Sequence, residues 1–116
     1  MMLNKEISSE TYPNFSDYNS NEKFYMQLSK AEFQAWARGV LRTQLLIFLP
    51  KMSFREIEEI TEQMNLKIDD ERLFVKIADY MVESDNYCFG NKKLRVLLNE
   101  YHNFIDTLLY TYPFLD

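Results

Sequence analysis

The chain has 116 residues, 47% apolar and 27% charged, with a formal net charge of −5. That length fits one domain able to bury about two-thirds of its unfolded surface, and the apolar share argues against a disordered chain. Cys88 stands alone, so no intramolecular disulfide exists, and the longest purely apolar run, Leu45 to Leu49, is five residues, against roughly 20 needed to span a bilayer.

Residues 1 to 20 include Ser, Asn and Tyr-rich sequence with Pro13 and no helical period. They read as a partly ordered N-terminal arm whose Tyr12, Phe15 and Tyr18 are spaced by three, ahead of one helical domain over residues 21 to 116. The start carries no charged segment followed by an apolar one, which with the lone Cys predicts a reducing, cytoplasmic setting. A short helix is expected from about Ser20, with Phe24, Tyr25 and Leu28 as its apolar side.

Ser29 precedes Glu32 by three residues, and Ser53 stands in the same relation to Glu56. Each pair forms a capping box, in which the Ser oxygen accepts from a first-turn amide and the Glu reaches back to the cap amide. The first long helix is predicted from about Lys30 to Leu49, stopped by Pro50, with Phe33, Trp36, Ala37, Val40, Leu41 and Phe48 on one face. Its LLIFL end is apolar all round, which places it at the centre of the bundle. The next helix, about Phe54 to Leu66, has a narrow apolar stripe of Phe54, Ile57, Ile60 and Met64 and is otherwise rich in Glu.

A third helix is expected to start at Asp69 or Asp70 as cap and to end near Glu83, with Leu73, Phe74, Ile77, Ala78 and Met81 inward. Residues 84 to 91 read as a turn, Gly90 taking positive φ and Asn91 capping the last helix. That helix, about Lys92 to Tyr112, puts Leu94, Leu97, Leu98, Tyr101, Phe104, Ile105, Leu108, Leu109 and Tyr112 on one broad face before Pro113 ends it. No segment alternates with period two, so the fold class is all-α: a compact bundle of four main helices with a short fifth near the N-terminus.

Eighteen residues are aromatic, yet the chain has one His, one Cys and two Gly. Rings build cores and interfaces, whereas catalysis needs nucleophiles, bases or metal ligands. The charge is also unevenly distributed. Residues 53 to 85 carry ten acidic residues against four basic ones, a net −6, while the segments on either side nearly balance. Such a surface repels phosphate backbones and steers basic partners, which argues against direct nucleic-acid binding. A helix-turn-helix reading of this segment fails because Asp69, Asp70 and Glu71 would open its recognition helix. Arg38 and Arg42, one helical turn apart, form a basic face, but two cations make a weak electrostatic footprint for nucleic acid.

The expected function is therefore stoichiometric binding of another protein with a basic surface, as an inhibitor, immunity protein or adaptor. The binding residues are expected to be Glu56, Glu58, Glu59, Glu62, Asp69, Asp70 and Glu71, anchored by Tyr87, Phe89, Tyr110 and Phe114. No cofactor, metal or membrane is expected. In size, charge and helicity the chain resembles the small acidic helical immunity proteins that neutralise bacterial toxins. Two alternatives stand beside this reading. One is a helical homodimer that buries the extra rings against a second copy. The other is a small ribonuclease, because Arg95, Asn99, His102 and Asp106 share a polar stripe. Arg95 and His102, with six residues between them, resemble the Arg-to-His helical motif of the HEPN ribonucleases, although Val96 stands where that family usually has a polar residue. The resemblance implies Arg95 and His102 as catalytic groups, and the stripe itself puts Asp106 one turn beyond His102, where a carboxylate can orient it as a general base.

Overall fold

The computed structural model describes residues 22 to 84 and 88 to 115. The fold is all-helical: α1 (Glu22–Tyr25), α2 (Lys30–Phe48), α3 (Phe54–Met64), α4 (Leu73–Ser84) and α5 (Lys92–Thr111), with a short 3-10 turn at Leu49–Lys51. The expected arm, with Tyr12, Phe15 and Tyr18, lies outside the described residues, as does Tyr87.

Both capping boxes form. Ser29 Oγ accepts from the Glu32 amide at 3.0 Å and Glu32 Oε1 accepts from the Ser29 amide at 2.9 Å. Ser53 and Glu56 exchange the equivalent bonds at 3.1 and 3.0 Å. Pro50, which has no amide hydrogen to donate, sits in the 3-10 turn that ends α2. The far end of α3 closes in a Schellman motif: the Leu66 amide donates to the Thr61 carbonyl and the Asn65 amide to that of Glu62. Asn65 supplies the left-handed residue this needs, at φ 59°.

The third predicted helix starts later than expected. Asp70 is not its cap; instead Asp70 Oδ1 accepts from the Arg72 amide at 2.7 Å and its carbonyl accepts from Leu73, so residues 68 to 72 form turns and α4 begins at Leu73. A short polar side chain that bonds the backbone two residues on competes with helix there. Asn91 does cap α5, its Oδ1 accepting from the Leu94 amide at 3.1 Å.

Helix α2 packs against α4 and α5. Its buried stripe is Phe33, Ala37, Leu41, Leu45 and Phe48, with Gln44 buried among them. The expectation that its last turn is enclosed on several sides is corrected, because Leu45 and Leu49 are buried but Ile47 is 53% exposed. The shortest dimension of the molecule is 23 Å, about two helix diameters. A fold two helices thick leaves each helix an outer face, and Ala31, Ala35, Gly39 and Thr43 form that of α2.

One end of the bundle is fastened by rings. Tyr25 is fully buried, 5.6 Å from each of Phe33, Trp36 and Tyr112 and 6.5 Å from Phe114. Phe33 lies 4.8 Å from Phe114 and 6.0 Å from Phe104. The Leu115 amide donates to the Leu28 carbonyl at 2.8 Å, so the C-terminal tail is laced to the α1–α2 link. Four-residue α1 is too short to persist alone, and its order comes from this cluster.

Candidate acidic docking face

Helix α3 buries Ile57, Ile60 and Thr61 and turns Arg55, Glu58, Glu59 and Glu62 outward. Positions 54, 58 and 62 are four apart, so Phe54, Glu58 and Glu62 form a row about 12 Å long on one flank. The expectation that Phe54 belongs to the core is corrected: the residue is 68% exposed. Met52, just before the cap, and Ile57, four residues after it, are both buried. They occupy the two positions of a hydrophobic staple, leaving the first helical residue pointing to water.

The seven carboxylates proposed from sequence divide by use. Glu56 is consumed internally: besides capping α3, its Oε2 accepts from Asn91 Nδ2 at 3.1 Å and its Oε1 from Lys93 Nζ at 3.1 Å. The Ser53 amide, assisted by Asn91 and Lys93, holds its pKa down to about 2 from 4.5. Asp70 is likewise occupied. Lys76 Nζ lies 2.6 Å from its Oδ2, and this bond, with the Arg72 amide, lowers its pKa below the ordinary value. Glu58, Glu59, Glu62, Asp69 and Glu71 remain on the surface. Glu59 stands 3.8 Å from exposed Arg55, a separation at which a solvated pair contributes well under about 1 kcal/mol.

The expected ring anchors divide as well. Phe89 is only 4% exposed and is not available to a partner. Phe89 and Gly90 both have positive φ, 57° and 71°, and the Asn91 amide donates to the Cys88 carbonyl at 3.0 Å, which is the geometry of a type I′ turn. That turn folds the Phe89 ring inward, 5.8 Å from the Tyr80 ring, while Gln63 Nε2 donates to the Phe89 carbonyl at 3.1 Å. Phe114 is also corrected, at 7% exposed within the aromatic cluster. Tyr110, by contrast, is 92% exposed on α5.

The basic face expected at Arg38 and Arg42 is reduced, because Arg42 Nε pairs with Asp79 Oδ1 of α4 at 2.6 Å. On α5, Arg95 and Asp106 are exposed and His102 is half-buried, its ring 5.3 Å from that of Tyr101. Two turns, roughly 10 Å of rise, separate Arg95 from His102. Among the described residues no group of three or more His, Cys, Asp or Glu is placed to hold a metal ion, and no helix is long and apolar enough to cross a membrane.

Sequence reasoning missed the outward Phe54 and the internal employment of Glu56 and Asp70. The first was legible, since Met52 and Ile57 already fit the staple. The second was not, because Asn91 and Lys93 lie 35 and 37 residues away in sequence. Comparison with protein families, with curated proteins and with solved structures found no match to this chain.

Proposed function

We propose that the chain is a stoichiometric protein-binding module that occludes a basic surface on another protein with the outer face of α3 and the turn that follows it. The observation that supports this most is that Glu58, Glu59, Glu62, Asp69 and Glu71 stay exposed, while Glu56 and Asp70 are used within the fold. Carboxylates that the fold does not use are free to steer a cationic partner, raising the encounter rate and disfavouring anionic competitors. An inhibitor, immunity protein or adaptor working in a reducing cytoplasm fits this description. Charge reversal at Glu58, Glu59 and Glu62 together, measured by stopped flow against a partner isolated from the native cell, is expected to slow association at least tenfold at low salt. Unchanged association kinetics remove the reading.

A second reading, a homodimer, is favoured by the outer row of α2. Ala31, Ala35, Gly39 and Thr43 are exposed at one-turn intervals and lead to exposed Ile47, as close helix-to-helix approach requires. A mass by light scattering that doubles with concentration supports it, and a constant monomer mass excludes it.

A further inference from the structure

We propose that Phe54 is the apolar anchor of the α3 face, and that the partner this face fits is a cationic amphipathic helix. The inference rests on the acidic-surface reading above and adds what the partner must carry: an apolar row flanked by Lys or Arg. Met52 and Ile57 fill the staple positions beside it, so Phe54 is left 68% exposed and its ring takes no part in packing α3. Ile47, 53% exposed at the end of α2, lies just before the connection that leads to Phe54. An exposed ring at one end of a row of carboxylates matches the pattern of burying an aromatic anchor inside a polar rim.

Charge selects the partner's class. The same carboxylates repel phosphate-rich surfaces, whether nucleic acid or anionic lipid. An unstructured polybasic chain satisfies Glu58 and Glu62 but leaves the ring in water. A basic amphipathic helix repeats every 3.6 residues, so it can set a side chain of its apolar row against Phe54 while cations flanking that row reach Glu58 and Glu62 one and two turns along. Tyr110, the other strongly exposed ring among the described residues, does not join this face. Glu56 binds Asn91 and Lys93, which ties the start of α3 to the start of α5. Tyr110 lies 19 residues beyond Asn91, about 28 Å farther along that helix.

The test uses the full chain and three synthetic 18-residue peptides: a Lys/Leu amphipathic helix, a Lys/Ser peptide of equal charge without an apolar face, and a Glu/Leu helix. Affinities are measured by calorimetry and the footprint by backbone amide shifts. The Lys/Leu helix is expected to bind over α3, at least tenfold more tightly than Lys/Ser, with no binding of Glu/Leu. Phe54→Ser is expected to weaken Lys/Leu binding about tenfold while leaving the thermal midpoint unchanged, which separates lost contact from lost fold. Equal binding of Lys/Leu by Phe54→Ser and the parent chain overturns the anchor, as does equal binding of Lys/Leu and Lys/Ser. If Glu58→Lys with Glu62→Lys still weakens binding in those cases, the acidic-surface reading survives without the anchor. If charge reversal changes nothing, or the footprint falls elsewhere, both fail.

Discussion

The two ends of the bundle use similar residues in opposite ways. Around Tyr25, rings from α1, α2, α5 and the tail are spent on one another, and Phe114, which by position alone looked free, is covered. Around α3, one carboxylate of the acidic set, Glu56, is spent on joining helices, while its neighbours and the Phe54 ring remain outside. Composition alone therefore does not identify an interface. A ring or a carboxylate becomes a candidate for binding only after its internal partners have been accounted for.

Breaking each end separately sharpens that contrast. The largest effect is expected from Tyr25→Ala, which empties a fully buried site surrounded by the rings of Phe24, Phe33, Trp36, Tyr112 and Phe114 and is predicted to cost about 3 to 5 kcal/mol. Urea unfolding checks it, and a loss below about 1 kcal/mol would show that the aromatic end contributes little.

Glu56→Gln comes next, with an expected cost of about 1 to 2 kcal/mol at neutral pH, as the charged bonds to the Ser53 amide, Asn91 and Lys93 weaken. The effect has a defined pH window. Because the folded pKa of Glu56 is depressed to about 2 from 4.5, its stabilisation is present above the unfolded value and disappears as pH falls from about 5 toward 2. Asp70 acts in the same sense, whereas partial burial raises the pKa of Glu100 and gives the opposite sense. The gap between parent and Glu56→Gln should therefore narrow steadily across that window. A gap independent of pH would show that Glu56 acts by packing rather than charge.

The smallest effect is a gain. Gly39 is a mid-helix glycine with nothing within 4 Å of an added Cβ, so Gly39→Ala is expected to stabilise the monomer by about 0.5 to 1 kcal/mol. A loss instead would mean that the outer face of α2 is already covered by a second copy.

Most helix limits were legible because they are set locally. Ser29 with Glu32, Ser53 with Glu56, Pro50 and Asn91 act within one turn of themselves, and the broad apolar face of α5 needs only its own period. What escaped the sequence was decided by competition or by distance. Asp70 prefers its own two-residue turn to capping α4. Phe89 is buried because a type I′ turn reverses it, a conformation usually marked by Gly or Asn rather than Phe. Phe54 faces out because two other residues already fill the staple. The acidic face itself was legible as charge density, but which carboxylates remain available depended on contacts with α5 and with Lys76.

The most direct test of the central claim places a photo-crosslinking amino acid at position 62 on α3 or at position 99 on the outer face of α5, in the full chain within its native cells. The acidic-face account predicts one adduct of defined mass from position 62, lost when Glu58 and Glu59 are reversed to Lys, and no such adduct from position 99. An adduct from position 99 alone, or one from position 62 that charge reversal leaves intact, would contradict it.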